Sequence, residues 1–305
     1  MTLRNVTNIP SAGTIGISAL LQRGTAYLKE NGIPSPRLEA ERLLCGLLDC
    51  RRIDLYLHPD KPVLPQVEDQ LWRRLRRRGG HEPLQYITGE VEFSGLSLVV
   101  RRGVFIPRPE TELILEAVDK ITPPPHRLLD LCTGSGALAV ALAKRLPFAE
   151  ITATDCSEIA LATARLNIER HRCAAQVTLL SGDLFEAVQS QRTWGETGAD
   201  FTGYDLIVCN PPYISEEDRP ILQPEVRDYE PGIALFAPEG GTAFYRRIVR
   251  EAPPFLAPGG TLLFELGDGQ AAWFEDFLRR ETQFESTLVR DLAGMDRVAI
   301  CSRRS

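Results

Sequence analysis

The chain has 305 residues, of which 43% are hydrophobic and 25% are charged, and its net charge at pH 7 is −6. This length suffices for one or two domains with a substantial core. No stretch has the apolar length of a membrane span, and the first residues lack the pattern of a secretion signal. We therefore expect a cytoplasmic protein that does not enter membranes.

Cysteine and histidine spacing favours neither a disulfide framework nor a metal site. The seven cysteines are scattered and form no C-x-x-C pair, so we expect reduced residues of the core. The four histidines stand at no ligand spacing from cysteines or carboxylates, and we predict no metal. The cysteines are Cys45, Cys50, Cys132, Cys156, Cys173, Cys209 and Cys301.

The charge is divided unevenly along the chain. Residues 1–80 contain 13 Lys and Arg against 8 Asp and Glu, a net of +5, which leaves 22 against 33, a net of −11, for residues 81–305. Nucleic-acid binding needs cations that face phosphates, so the acidic part disfavours it. The basic part suggests an acidic partner.

Short helices are predicted over residues 14–80. Ser35 followed by Pro36 is a typical helix start, and the leucines that follow mark one apolar face. A second amphipathic segment, residues 67–78, contains Arg73, Arg74, Arg76, Arg77 and Arg78. These arginines either complement the C-terminal end of a helix or bind a partner, and the sequence leaves both interpretations open.

An alternating segment around Gly95, residues 90–100, predicts a β-hairpin. After three prolines at 123–125, strands and helices alternate, which is typical of a mostly parallel sheet with helices on both faces. We predict strands at 127–131, 150–154, 176–180, 204–209, 261–266, 284–290 and 297–301, and helices at 136–146, 157–170, 241–256 and 270–280. Residues 189–203 are interpreted as a surface insertion. The predicted domains are a helical domain (1–85), a hairpin linker (86–108) and an α/β domain (109–305).

The strand at 127–131 runs into a glycine-containing turn, Cys132 to Gly136, and then into a helix. Glycine lets the backbone approach a ligand, and the start of the helix supplies N–H donors. Asp155 ends the next strand, where a carboxylate can accept both hydroxyls of a ribose. The pattern indicates a nucleoside site, but it also satisfies the dinucleotide fingerprint of NAD-dependent enzymes.

Two further polar groups follow later strands. Asp183 follows the third strand, where it either accepts from an adenine amino group or forms a turn. Asn210-Pro211-Pro212-Tyr213 follows the fourth strand. The two prolines stiffen the chain, so the Asn210 amide is held at the sheet edge where α/β proteins bind ligands. The alternative is an ordinary strand-ending turn.

Several segments together resemble the S-adenosylmethionine-dependent glutamine N5-methyltransferases that modify peptide chain release factors. The segments are DLCTGSGALAVALA, ATD, GDLF, NPPYI, RDLAGMDRVAI and FIPRPETE, behind a helical domain, and the resemblance covers nearly the whole chain from about residue 15. NPPY alone is typical of methyltransferases that act on amide or exocyclic amino nitrogen, whereas FIPRPET narrows the match to this family. The implied fold is an α/β, class I (Rossmann-like) methyltransferase with a small N-terminal helical domain.

The resemblance also implies roles for individual residues. The methionine part of S-adenosyl-L-methionine would lie on Cys132, Thr133, Gly134, Ser135 and Gly136, the ribose on Asp155, and the adenine on Asp183 and Leu184. The target glutamine would lie on Asn210, Pro211, Pro212 and Tyr213, with Phe105 closing the slot and, like Asn210, bordering the cofactor. Two positions depart from the family, which usually has glycine at Cys132 and Asp-Gly at Gly240-Gly241.

The chemistry of a primary amide fits these groups. Its nitrogen is a poor nucleophile because the lone pair is delocalised into the carbonyl, so the enzyme has to orient it. Asn210 Oδ1 and the Pro211 carbonyl can accept its two N–H bonds, which turns the lone pair toward the sulfonium methyl group. A glutamate carboxylate would place oxygen against oxygen and be rejected.

The resemblance therefore implies that the enzyme methylates the glutamine in the Gly-Gly-Gln motif of release factors. We expect a monomer, although the sequence does not determine the oligomeric state. Alternatives are a glutamine methyltransferase of a ribosomal protein and a nucleic-acid N6-adenine methyltransferase. An NAD-dependent oxidoreductase or a non-catalytic binding module would leave Asn210 to Tyr213 without a role.

Overall fold

The computed structural model describes residues 15–189 and 202–304. The insertion predicted at 189–203 lies, except for its ends, outside the described residues. Contacts divide the chain into two compact units, one ending at Thr88 and the other beginning at Gly89. Among the helices described, none combines the length and apolar character needed to cross a bilayer.

The first unit is helical, as the sequence predicted. Its helices are α1 Ile17–Glu30, α2 Pro36–Leu48, α3 Arg52–Leu57, α4 Pro65–Gly79 and α5 Leu84–Thr88. Pro36 lies in the first turn of α2, but the Ser35 side chain makes no capping hydrogen bond. The apolar faces of α1, α2 and α4 form the core of this unit around the fully buried Leu20, Leu43, Leu44, Leu71 and Leu75.

The arginines of α4 have different environments. Arg78 is only 3% exposed, and its guanidinium pairs with Glu39. Arg77 donates two hydrogen bonds to Glu82, at 2.8 and 2.7 Å. These two arginines therefore stabilise the helical unit itself. The arginines of α4 that are exposed and form no ion pair within the described part of the chain are Arg73 and Arg76.

The second unit contains a hairpin and a seven-stranded sheet. The hairpin is formed by β1 Glu90–Phe93 and β2 Leu96–Val99, where the sequence predicted it. The sheet has the order β5-β4-β3-β6-β7-β9-β8, and all neighbours from β5 to β7 are parallel. Its strands are β3 Arg127–Leu131, β4 Glu150–Asp155, β5 Val177–Ser181, β6 Tyr204–Cys209, β7 Leu256–Glu265, β8 Phe284–Arg290 and β9 Asp296–Arg303.

Helices cover both faces of this sheet because its central strands are apolar on both sides. Leu128 and Leu206 share a core with α6, α7 and α8, whereas Leu129 and Ile207 share the opposite core with α13 and α14. The helices are α6 Glu112–Val118, α7 Ala137–Arg145, α8 Glu158–Arg170, α9 Glu186–Gln189, α10 Pro224–Tyr229, α11 Gly232–Leu235, α12 Pro238–Gly241, α13 Ala243–Glu251 and α14 Ala271–Glu281. The predicted α/β class with a mostly parallel sheet is confirmed.

The largest error of the predicted boundaries lies between α13 and β7. The helix predicted to 256 ends at Glu251, and Pro253 begins a separate 3₁₀ turn. The strand predicted from 261 already begins at Leu256. Its pairing with β6 shifts register between Tyr204 and Leu206, which accommodates Pro258, Gly259 and Gly260 as an irregularity inside the strand.

The expectation that the cysteines are core residues is only partly correct. All seven are free, but Cys156 is exposed and Cys45, Cys50 and Cys132 are partly exposed. The fully buried cysteines are Cys173, Cys209 and Cys301.

Candidate active site

A cavity of about 380 Å³ lies at the carboxyl ends of β3, β4, β5 and β6. The strand order reverses between β3 and β6, so the loops that follow them diverge and leave a crevice. The cavity brings together the residues predicted to bind cofactor and glutamine, with the exception of Gly136.

The turn after β3 uses left-handed backbone at three positions. Gly134 has φ 56°, and apart from its chain neighbours no described atom lies within 4 Å of the place where a Cβ would stand. Gly136 has φ 79°, and a Cβ there would approach the Ala164 Cβ to 3.0 Å, so this glycine permits helix packing. Cys132 has φ 58°, a conformation that costs a non-glycine residue roughly 1 kcal/mol and that glycine adopts without this cost.

Asp155 at the end of β4 holds this turn. Its carboxyl oxygens accept hydrogen bonds from the backbone N–H of Gly134 and of Ser157, each at 2.9 Å. Burial raises the pKa of Asp155, and these backbone donors oppose that effect. The backbone N–H of Cys156 also contributes, and the carboxylate still retains acceptor capacity that a ligand hydroxyl could use.

Asp183 does not stand alone at its strand end. Arg247 on α13 pairs with its carboxylate at 2.9 Å, and both side chains line the cavity. The next residue, Leu184, is buried with φ 48°. Sequence reasoning did not find Arg247, because α13 follows Asp183 by about sixty residues and comes close only through the fold.

Asp130 is a buried acid of the cavity that the sequence analysis did not identify. It lies on β3, lines the cavity and is 1% exposed. Thr133 Oγ1 donates to its Oδ2 at 2.6 Å, whereas its Oδ1 has no partner among the described residues. Burial raises the pKa of Asp130 to about 7.

Asn210 lies just beyond β6, where the sequence placed it. Its Nδ2 donates to Thr111 Oγ1 at 3.2 Å, and Thr111 Oγ1 donates to Glu265 Oε2 at 2.5 Å. Tyr213 OH donates to the other oxygen, Glu265 Oε1, at 3.0 Å. Sequence reasoning named neither Thr111 nor Glu265 as a site residue. Thr111 stands within FIPRPETE, and Glu265 ends an apolar strand as Asp155 does, so both carried a signal.

The backbone of Tyr213 is held as firmly as its side chain. Gln270 Nε2 donates to the Tyr213 carbonyl at 2.8 Å, and Tyr245 OH in turn donates to Gln270 Oε1 at 3.1 Å. A Cβ at Gly241 would stand 2.1 Å from the Tyr213 carbonyl oxygen, so only glycine fits. At Gly240, φ is 63° and no such contact exists, so an aspartate, a residue that tolerates this conformation, would fit there.

Phe105 lines the cavity on a loop that a buried ion pair fixes. The Arg108 guanidinium lies 5.0 Å from the centre of the Phe105 ring and pairs with Glu230, which is 6% exposed. Glu230 also accepts a hydrogen bond from the Ile106 N–H at 3.1 Å. Sequence reasoning did not single out Glu230.

Comparison with known proteins gives consistent matches along the chain. Two family models match, the PrmC N-terminal domain over residues 19–89 and the methyltransferase small domain over residues 98–223. The chain is 43% identical to a release factor glutamine methyltransferase of Geobacter sulfurreducens, over 92% of this chain and 95% of the relative. It is 37% identical to a release factor glutamine methyltransferase of Rhodopirellula baltica, over 92% of this chain and 94% of the relative.

Solved structures show the same kind of fold. The hMettl16 catalytic domain in complex with MAT2A 3′UTR hairpin 1 has a TM-score of 0.54 at 15% identity, covering 92% of this chain and 91% of that chain. At this identity the likeness concerns the fold alone.

Proposed function

The chain belongs to the family of release factor glutamine methyltransferases, and we propose from this premise that it methylates the side-chain amide nitrogen of the glutamine in the Gly-Gly-Gln motif of peptide chain release factors. The methyl donor is S-adenosylmethionine, whose sulfonium supplies an electrophilic methyl group. The observation that supports this proposal most directly is that the Asn210 turn lines the same cavity as Asp155 and Asp183.

The residues of the cavity fit this cofactor. Two buried polar atoms, Asp130 Oδ1 and Ser135 Oγ, have no partner among the described residues, and the backbone at Gly134 leaves open space. Buried polar atoms of this kind call for a ligand or water. We assign the methionine part to the segment from Cys132 to Gly136, with Gly136 acting through helix packing.

The nucleoside part is assigned to the two acids at the ends of β4 and β5. Asp155 keeps acceptor capacity for a ribose hydroxyl, because a carboxylate has about four lone-pair sites and its backbone donors, Gly134, Ser157 and Cys156, do not use all of them. Asp183 and Leu184 would border the adenine. Arg247 neutralises Asp183, so this carboxylate would act as an oriented acceptor and not as an isolated charge.

The Asn210 turn would orient the substrate amide. With Nδ2 held by Thr111, Asn210 Oδ1 is available as an acceptor, and the Pro211 carbonyl provides a second one. Accepting both N–H bonds directs the nitrogen lone pair away from these groups and prepares the nitrogen for attack. The proton leaves after the transfer, so no strong base is needed. A glutamate carboxylate would meet only acceptors, and we expect it to be rejected.

We further propose that the enzyme acts as a cytoplasmic monomer on protein and not on nucleic acid. The net charge of −11 over residues 81–305, counted as 22 basic against 33 acidic residues, disfavours a polyanionic substrate in the catalytic unit. The helical unit is proposed to select the release factor.

Mass spectrometry of a purified release factor, after incubation with the enzyme and S-adenosylmethionine, tests the function. We expect one methyl group on the Gly-Gly-Gln glutamine.

Asn210→Ala should lower the rate on the order of a hundredfold or more while cofactor affinity is retained, because a preorganised contact to the reacting group is lost. Asn210→Asp should also fail, since a partly buried charge would replace the amide. Methylation of another residue, or near-normal turnover by Asn210→Ala, would contradict the proposal.

A further inference from the structure

Glu265 is a buried carboxyl group that the proposed reaction does not use. It ends β7 and is 2% exposed. Its Oε2 accepts from Thr111 Oγ1 at 2.5 Å and its Oε1 from Tyr213 OH at 3.0 Å. Because Thr111 Oγ1 lies 3.2 Å from Asn210 Nδ2, a single hydroxyl group connects the carboxyl group to the substrate-facing amide.

The direction of these hydrogen bonds follows from counting protons. A threonine hydroxyl has one proton to donate, and its oxygen can accept in return. Thr111 gives its proton to Glu265, so toward Asn210 it can act only as an acceptor. The Asn210 amide must therefore turn its Nδ2 toward Thr111. Its Oδ1 then faces the other way, where the proposed reaction needs an acceptor.

We propose that Glu265 is a positioning residue that, through Thr111, fixes the orientation of the Asn210 amide and thereby makes the site select glutamine over glutamate. This inference rests on the proposed function. Glu265 also holds the Tyr213 hydroxyl, so one carboxylate fixes both polar side chains of the Asn210-Pro211-Pro212-Tyr213 turn.

The surroundings of Glu265 raise its pKa overall, so its role as an acceptor rests on the geometry of its two hydroxyl neighbours. Burial raises its pKa, and Glu110 adds to this effect, whereas the hydrogen bonds from Thr111 and Tyr213 and the charge of Arg297 lower it. Burial also raises the pKa of Tyr213, which keeps that hydroxyl protonated and able to donate. Each carboxyl oxygen has one hydroxyl group within hydrogen-bond distance, the arrangement in which an ionised carboxylate accepts from both.

The isosteric change Glu265→Gln should reverse the direction of the hydrogen bonds from residue 265 through Thr111 to Asn210 without leaving a cavity. The new side chain has one acceptor and one donor end, and its acceptor suits the Tyr213 hydroxyl. Its amide N–H then donates to Thr111, whose proton becomes free to donate to Asn210. The Asn210 amide turns over and presents Nδ2, a donor, to the substrate. A glutamine amide is then misaligned, whereas a glutamate carboxylate gains a partner.

The test uses the full-length enzyme, S-adenosylmethionine and two forms of a purified release factor, one with Gly-Gly-Gln and one with Gly-Gly-Glu. For Glu265→Gln we expect kcat to fall on the order of a hundredfold, with the cofactor Kd unchanged within about twofold. The Gly-Gly-Glu form should inhibit this variant about tenfold more strongly than it inhibits the wild type, as one new charged hydrogen bond allows. A purely structural role would not improve inhibition.

Variants at Thr111 distinguish a loss of the Glu265–Thr111–Asn210 hydrogen bonds from a general disturbance of the fold. Thr111→Val has a similar shape without the hydroxyl and should lose kcat as Glu265→Gln does, whereas Thr111→Ser keeps the hydroxyl and should retain more activity. The double variant Glu265→Gln/Thr111→Val should have a kcat no lower than that of the more impaired single variant, because both changes act on the orientation of the same Asn210 amide. Glu285→Gln, which removes an exposed charge on β8, is the matched control and should change nothing.

Each outcome decides between the alternatives. Unimpaired kcat in Glu265→Gln, equal losses in Thr111→Ser and Thr111→Val, or unchanged inhibition by the Gly-Gly-Glu form overturns the inference while the proposed function stands. A wild-type enzyme that leaves the Gly-Gly-Gln glutamine unmodified overturns the proposed function, and this inference with it. If Glu265→Gln fails to fold, the comparison of Thr111→Ser with Thr111→Val decides.

Discussion

Asp130 illustrates how a single buried acid can link the site to pH. Burial raises the pKa of its carboxyl from an ordinary 3.8 to about 7 in the folded protein. Between these two values the folded protein holds a proton that the unfolded chain has released. The free energy of unfolding should therefore decrease as pH rises from about 4 to 7, by at most about 4 kcal/mol, and this contribution should level off above pH 7.

Denaturant unfolding of the cofactor-free protein at several pH values checks this. The difference in unfolding free energy between wild type and Asp130→Asn should change with pH in that window, because the amide cannot titrate. Parallel curves for the two proteins would show that Asp130 does not titrate there.

Asp155 leads to a prediction about ligand choice. Asp155→Ala removes the acceptor proposed for the ribose, and charged hydrogen bonds of this kind contribute about 1.5 to 3 kcal/mol. We expect calorimetry to show a roughly tenfold or greater loss of S-adenosylmethionine affinity, and no binding of NAD by the wild type. Because Asp155 also holds the Gly134 N–H, thermal unfolding has to confirm that the variant is folded. Unchanged affinity in a folded variant would refute the ribose assignment.

Site residues could be predicted from sequence where the signal is local. Asn210 and Asp155 end apolar strands, and a strand end in an α/β sheet defines its position. Thr111 and Glu265 act through each other, yet 154 positions separate them along the chain. No periodicity or spacing reports such a contact, so their joint role became visible only in the structure. The same holds for Arg247 beside Asp183.

At the scale of elements, most of the sheet could be predicted because strands and helices differ in hydrophobic period. β3 and β6 have the predicted bounds, since each is a short, mostly apolar run that is followed directly by a turn segment. β7 was predicted too short because Pro258, Gly259 and Gly260 are typical of a turn. Here a register shift against β6 keeps them within the strand, and only the neighbouring strand determines that.

The turn before α13 allows a paired test of backbone restriction. Gly241→Ala would place a Cβ 2.1 Å from the Tyr213 carbonyl oxygen, so Tyr213 or the turn has to move. We expect a loss of about 2 kcal/mol or more in stability, together with reduced kcat. Gly240→Asp places a side chain where space is open, in a conformation that aspartate tolerates, and it should cost less than about 1 kcal/mol.

Thermal unfolding and initial rates on the release factor measure both effects. If Gly241→Ala and Gly240→Asp behaved alike, close approach to Tyr213 would not be the reason for glycine at position 241.

At the scale of the whole molecule, the change in net charge along the chain lies close to the boundary between the two units. The chain divides between Thr88 and Gly89, close to the place where its composition changes from a net of +5 over residues 1–80 to −11 beyond. The cavity is lined by residues from Gly103 onward, so the catalytic unit supplies the groups proposed for chemistry. A single glutamine side chain in a slot offers little binding area, and a release factor must therefore be held elsewhere as well.

Arg73 and Arg76, which are exposed and form no ion pair among the described residues, are the groups proposed to hold the release factor. Arg73→Gln/Arg76→Gln should raise KM for the intact release factor and make it less sensitive to salt, with little change in kcat for a short Gly-Gly-Gln peptide. Arg279→Gln/Arg280→Gln, the same charge change on the exposed end of α14, is the matched control and should leave KM unchanged.

Arg78 should respond differently, because it is buried against Glu39. Arg78→Gln is expected to cost about 3 to 5 kcal/mol of stability by leaving a partly buried charge unpaired. Equal effects of Arg73→Gln/Arg76→Gln on protein and peptide would instead mean that these arginines, like Arg78, act only within the helical unit.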